Sequence, residues 1–308
     1  MAGEHLNPWF WPGLGGALLA LILGARAALH RGLAPLATLE GLQPADLGLT
    51  ARSVRIPVAS GLSLFAWYLP AGTVTQPAPA IVLLHGWGGN ASTLLSAAQA
   101  LHGAGYAVLL PESRNHGRSD RDGYSSLPRF AQDLDLALDW LLAQPDINAS
   151  RVSALGHSVG GAAMLLSASR RHDLHAAISV SAFAHPEQVM RRWLAARRVP
   201  YWPLGWLVNR YVERVIGARF RDIAPLHTLA RAQCPVLLLH GCQDVMVPLD
   251  DARQLWQHRA NANVTLLECD GSHEGFDDLA DVTRQILNFL QSADQVSSSL
   301  MGCPSQRP

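Results

Sequence analysis

"SALGHSVGGAAM", residues 153–164, places one serine, Ser158, between two glycines at the end of an apolar run. Two readings compete for it. Serine is a favoured first residue of a helix, because its oxygen accepts a backbone N–H that the helix start leaves free. A serine in G-x-S-x-G, after a strand and before a helix, is also the arrangement that lifts a nucleophile off the edge of a sheet. Gly156 and Gly160 would then stand where strand and helix pass closely, and the small residues of "GGAAM" would let the helix lie tightly on the sheet. The rest of the chain has to decide.

Outward from this stretch, short apolar runs alternate with helical patterns. "SVRIPV" and "LSLFAWYL" read as a strand hairpin across "ASG". "AIVLLH" (80–85), "YAVLL" (106–110), "VSALG" (152–156), "AAISV" (176–180), "VLLLHG" (236–241) and "VTLLE" (264–268) have the continuous apolar character of strands buried on both faces. Between them "STLLSAAQALHGAG", "PRFAQDLDLALDWLLAQ" and "DDARQLWQHRAN" show helical spacing, and "DLADVTRQILNFLQ" reads as a closing helix. Such alternation predicts an α/β fold, a mostly parallel eight-stranded sheet with helices on both faces. Residues 185–222 break the rhythm with no strand-like run, and the last residues, 294–308, read as a disordered tail.

Composition narrows the chemistry. The 308 residues are 49% hydrophobic and carry no formal net charge, so the balance gives no nucleic-acid footprint. All 24 basic residues are arginine, which excludes a Ser-Lys dyad, a lysine Schiff base and a P-loop. Cys234, Cys242, Cys269 and Cys303 form no CxxC pair and no metal-ligand spacing, so no metal and no cofactor is expected. Cys242 and Cys269 would be neighbours if the last two strands pair, with reduced thiols the favoured state.

A nucleophilic serine needs a base, and the base needs an orienting acid. "LLLHGCQDVMVP" supplies Asp244 just beyond a buried strand, and "LLECDGSHEGF" supplies His273 in the loop after the next one. Both would stand with Ser158 at the carboxyl edge of the sheet, where open α/β sheets bind ligands. Asp270 is the second choice for the acid; His85 and His240 end strands and read as structural. His157 is too close to Ser158 in the chain for its side chain to turn back onto it, and Asp277 and Asp278 read as helix N-terminal acids. "LLHGWGGN" offers a glycine loop, and the backbone N–H groups of Trp87 and Val159 are the candidate oxyanion donors.

"HGWGGN", "ESRNHGRSD", "GHSVGG", "HGCQDVMVP" and "GSH", in this order, resemble the α/β-hydrolase superfamily, in particular its esterase, monoacylglycerol-lipase-like and serine-aminopeptidase-like members. The resemblance covers residues 50–291 and implies an α/β-hydrolase fold with a small helical cap inserted at 185–222. It also implies a structural role for His116 and Arg118. The activity it implies is that of a serine hydrolase on a small acyl ester, a thioester or a lipid-like substrate, with Ser158, Asp244 and His273 as the triad. A serine peptidase, an acyltransferase and a catalytically silent binding protein stay open as alternatives.

Two segments bear on location and substrate. "PWFWPGLGGALLALILGA", residues 8–25, is uncharged and apolar, and Arg26 and Arg31 follow it. The N-terminal segment, residues 1–31, reads as a membrane anchor that leaves the downstream domain in the cytoplasm. A signal peptide of a secreted protein and a docked helix of a soluble cytoplasmic one are the alternatives. The cap holds eight arginines against Glu187, Glu213 and Asp222, with Trp193, Trp202 and Trp206 among them as candidate substrate contacts. A basic, tryptophan-rich segment of this kind suits an anionic membrane surface or an anionic substrate.

Overall fold

The apolar runs become eight strands of a single sheet in the computed structural model, which describes residues 16, 20, 23–24, 26–36, 38–39, 41–72, 77–260 and 262–301. They are β1 (Arg52–Pro57), β2 (Ser63–Leu69), β3 (Ala78–Leu84), β4 (Ala107–Pro111), β5 (Ile147–His157), β6 (Ala177–Val180), β7 (Val236–Gly241) and β8 (Val264–Cys269). Their spatial order is β1-β2-β4-β3-β5-β6-β7-β8. The hairpin strand β2 runs antiparallel to β1 and β4, and the remaining pairs are parallel. This is the α/β-hydrolase fold expected from the sequence.

Among the described residues five helices cover the sheet: α1 (Leu95–Gly103), α2 (Leu127–Leu142), α3 (Val159–Ala168), α6 (Leu249–Gln257) and α7 (Leu279–Met301); α4 (Pro186–Ala196) and α5 (Trp206–Ile216), followed by the single turns Phe220–Ile223 and Pro225–Thr228, lie between β6 and β7. Alternate residues of a strand point to opposite faces, so each strand feeds two cores. Leu64, Ala66 and Tyr68 pack with Leu134, Leu138 and Met164 of α2 and α3 on one face. Phe65, Trp67 and Leu69 pack with Leu101 of α1 and with Ile286 and Leu290 of α7 on the other. Each leucine buried this completely contributes roughly 1.5–3 kcal/mol. Every residue of α3 is buried, which is why its sequence shows small residues without a polar stripe.

The C-terminus differs from the expectation. Residues 294–301, read as tail, continue helix α7 to Met301, while 302–308 lie outside the described residues. The physical reason is a distant clasp. Ala293 is buried, and the Asp294 carboxylate accepts from Arg151 Nε at 2.9 Å and lies 3.0 Å from His175 Nε2. Nothing in the tail's own composition signals those partners.

At the other end, the apolar stretch 8–25 lies outside the described residues apart from 16, 20, 23 and 24. Among the described residues no helix is long and apolar enough to cross a membrane. Residues 26–32 are helical, and the chain then runs across the carboxyl edge. His30 Nε2 pairs with the Tyr211 hydroxyl of α5 at 2.9 Å, the Ser125 N–H donates to Leu33 O at 2.7 Å, and Thr38 reaches the loop after β3.

Candidate active site

Ser158 is geometrically the residue before helix α3, yet its hydroxyl does not cap the helix. Its backbone sits at φ 56°, ψ −119°, a strained region for any residue with a Cβ. The turn is held by its surroundings. The Ser158 N–H donates to Val180 O at 2.8 Å, and a Cβ on Gly160 would lie 2.5 Å from the carbonyl oxygens of Leu84 and His85. A Cβ on Gly156 would strike the Gly160 carbonyl. Strand β5 and helix α3 thus pass too closely for any side chain at these two positions, and the serine projects at the carboxyl edge.

There Ser158 Oγ meets His273 Nε2 at 3.1 Å, and His273 Nδ1 meets Asp244 Oδ2 at 2.7 Å. With Nδ1–H donating to the carboxylate, Nε2 is the acceptor for the serine O–H. The other Asp244 oxygen accepts the N–H groups of Met246 and Val247 at 2.9 and 2.8 Å, which fixes the carboxylate's orientation. Asp270 has a different partner, the Gln243 side-chain amide at 3.3 Å, so it is Asp244 that reaches the histidine.

Three histidines around the site are held neutral by burial. His240 donates from Nε2 to Val247 O at 2.8 Å, and burial lowers its pKa, so it adds no cation beside Asp244. His85 uses both ring nitrogens, Nδ1–H to Gly86 O at 2.7 Å and Nε2 from the Ser113 N–H at 3.1 Å, and burial takes its pKa down to about 3. His157 does not turn back onto Ser158. Its Nε2 instead lies 2.8 Å from the carbonyl oxygen of His273. A carbonyl only accepts, so Nε2 carries the hydrogen, and burial lowers the pKa of the ring. The residue next to the nucleophile therefore pins the backbone of the base. The contact joins residues 116 apart in the chain, which no local pattern could have shown.

The glycine loop after β3 lies against this turn. A Cβ on Gly86 would come within 3.1 Å of His157 Nδ1 and 3.2 Å of Ser158 Cβ. Trp87 follows, its ring stacked with Phe130 at 6.4 Å and partly exposed. Val159 opens α3, where the first N–H groups have no partner within the helix. Thr38 braces the loop from outside, donating from Oγ1 to Gly88 O at 3.2 Å and accepting from Asn90 Nδ2 at 2.8 Å. That brace was not legible, since residues 38 and 88 share no motif. The "ESRNHGRSD" loop is bonded within itself, the Arg118 N–H donating to the Glu112 carboxylate, and to its neighbours: Glu112 accepts from Ala91 N–H at 3.3 Å, and the Arg118 guanidinium lies 3.8 Å from the Phe65 ring centre. His116 Nδ1 bonds Arg114 O at 3.0 Å.

The cap is helical, as expected. Between α4 and α5 a kinked linker, Tyr201–Gly205, carries Trp202 in extended conformation. Trp193, Trp202 and Trp206, the candidate substrate contacts, find their ring partners within the cap itself. The Arg197 guanidinium lies 3.7 Å over Trp193, and the rings of Trp202 and Trp206 are 5.7 Å apart. All three are exposed, Trp202 at 71%. The structure brings Ser158, His273 and Asp244 together and turns these tryptophans toward solvent. Cys234, Cys242 and Cys269 are free thiols, although Cys242 N–H donates to Cys269 O at 2.7 Å.

Comparison with known proteins bears on the same architecture. The family model described as serine aminopeptidase, S33, matches residues 75–217. An uncharacterised protein of Mycobacterium tuberculosis (strain H37Rv) is 29% identical over 201 residues, 64% of this chain and 63% of that protein. The chain thus spans a little under two thirds of that relative's length. The Escherichia coli O157:H7 protein YfhR is 26% identical over 252 residues, 79% of this chain and 82% of its own. Among solved structures, an esterase of Pyrococcus furiosus superposes with a TM-score of 0.68 at 21% identity, covering 84% of this chain and 97% of its own. Est1E of Butyrivibrio proteoclasticus, with ferulic acid bound, gives 0.62 at 19%, covering 79% and 99%. At these identities the structural likeness concerns the fold.

Proposed function

The chain is an α/β hydrolase by fold, and from that premise we propose that it is a serine hydrolase cleaving a carboxylic ester or thioester through an acyl-enzyme. The observation that carries the reading is the unbroken relay from Ser158 Oγ through His273 to Asp244, at 3.1 and 2.7 Å. Ser158 Oγ attacks the acyl carbon while its proton passes to His273 Nε2. Asp244 holds the ring and stabilises the imidazolium that forms. The N–H groups of Val159 and Trp87 receive the oxyanion, each such donor contributing about 2.7–4 kcal/mol in the transition state. His273 then protonates the leaving group, and a water, deprotonated by the same nitrogen, releases the acyl group. Proton count and charge are restored after each half-reaction.

The description of the matching family favours one second reading, an aminopeptidase. Against it, a free amine calls for carboxylates near its binding position, and residues 185–222 hold eight arginines and three acids.

The test is labelling by a fluorophosphonate, on the native chain and on Ser158→Ala, followed by p-nitrophenyl esters of increasing acyl length and by aminoacyl anilides. We expect the native chain to label, the variant to be silent, and the esters to turn over in preference to the anilides. A folded native chain that does not label, or a variant that does, would sink the proposal. Preferred turnover of the anilides would hand it to the peptidase.

A further inference from the structure

We propose that the outer face of the cap docks on an anionic lipid bilayer, with the tip at residues 200–207 entering the headgroup layer. The first observation is the tip itself. Trp202, Leu204, Trp206 and Leu207 are all exposed within six residues, the kinked linker holding Trp202 out at 71% exposure. A soluble surface scatters exposed apolar residues singly, whereas a contiguous patch marks an interaction site. Tryptophan in particular suits the boundary between hydrocarbon and water.

The second observation is charge. Residues 185–222 carry eight arginines and three acids, an excess of five positive charges (8 − 3). Arg191, Arg192, Arg210 and Arg221 are paired with Glu187, Asp251, Glu213 and Asp222. Arg197, Arg198, Arg214 and Arg219 are exposed and form no salt bridge among the described residues. They flank the apolar tip on both sides in sequence, and a guanidinium binds phosphate oxygens in pairs. Apolar residues flanked by arginine match an anionic headgroup layer over a hydrocarbon interior.

The third observation is where the undescribed chain ends. The apolar stretch 8–25 stops five residues before His30, and His30 pairs with Tyr211 on α5. Tyr211 and the exposed Leu207 are four residues apart, so they lie on one stripe of that helix. His30 therefore meets the cap one turn from the proposed tip. The docking does not rest on the hydrolase reading; joined to it, the docking makes acyl esters resident in the bilayer the substrates within reach.

Hydrogen exchange on the full chain tests this, with phosphatidylcholine vesicles, with vesicles that also contain phosphatidylglycerol, and without vesicles. Slower exchange over residues 198–210 is expected only with the anionic vesicles, and added salt should reverse it. The double variant Arg197→Gln, Arg198→Gln should lower partitioning to those vesicles roughly 30-fold, two surface charges being lost. Its fluorophosphonate labelling in solution should stay at the native rate, which keeps this test separate from that of the hydrolase. Three results would each overturn the proposal. The chain could bind vesicles with no protection of 198–210, so that the apolar N-terminal stretch alone binds. Protection could be equal on neutral vesicles, or it could arise from raised protein concentration without lipid, which would make the occupant a second copy of the chain.

Discussion

Between Gly156 and Gly161 the room for side chains is set by neighbouring backbone, whereas between Pro200 and Leu207 most side-chain surface meets solvent. The elbow holds a strained serine at φ 56° because strand, helix and glycine loop leave no alternative path. The cap linker holds an extended Trp202 with one ring neighbour and open space beyond. Where backbone packs on backbone, residue size is dictated and function follows from geometry. Where side chains face outward, composition can change without loss of fold, and what is kept there reflects what the surface meets.

This contrast can be broken experimentally. Gly156→Ala should cost about 3 kcal/mol in urea unfolding, because the added methyl strikes the Gly160 carbonyl and the strand has nowhere to move. An unchanged midpoint would show that the close approach is soft. His157→Leu should lower kcat for an ester between about 10- and 100-fold with KM little changed, since the base loses its backbone pin. His157→Gln, which keeps an N–H donor, should recover part of that loss. Equal damage in both variants, with a matching fall in melting temperature, would make the residue merely structural.

Acid separates the regions in another way. His85 and His240 are buried and His157 is half-buried, and all three are neutral in the folded chain, with pKa values below the ordinary 6.5. The unfolded chain takes up protons as pH falls below that value while the folded chain does not. Stability is therefore fully present above about 6.5 and is lost downward, for His85 by about 1.4 kcal/mol per pH unit. For His85 the loss continues to about 3. Urea midpoints measured from pH 7 to pH 4 should show this slope, and His85→Gln should flatten it. The smallest effect belongs to the cap: Trp202→Ser should change stability by less than about 0.5 kcal/mol, as for a surface substitution. A larger fall would mean that the tryptophan packs inward in solution.

The strands were legible because each is an apolar run between turn residues, and the elbow because its glycines are required by contacts within about six residues of chain and one neighbouring loop. Ser158, Asp244 and His273 could be picked out because each follows a strand, which places it at one sheet edge, although β8, read as buried on both faces, is an edge strand with only Val264 buried. The contacts that escaped reading are long-range. His157 reaches a carbonyl 116 residues on, Thr38 braces a loop 50 residues away, and Asp294 is clasped across 143 residues of chain. The direction in which Trp193, Trp202 and Trp206 point was equally hidden, because a tryptophan-rich helix has the same composition whether its rings face the core or the solvent.

The separation of Ser158 from His273 by 115 residues also sets an order of events during synthesis. The serine, its strained turn and strand β5 leave the ribosome well before strands β7 and β8, and β8 closes one edge of the sheet. Contacts this distant are made only after the intervening loop entropy has been overcome. A growing chain therefore carries its serine without a base until the final strand docks and helix α7 closes over it. Any truncated product that ends before residue 273 lacks the imidazole altogether, so the relay comes into existence only with the nearly finished molecule.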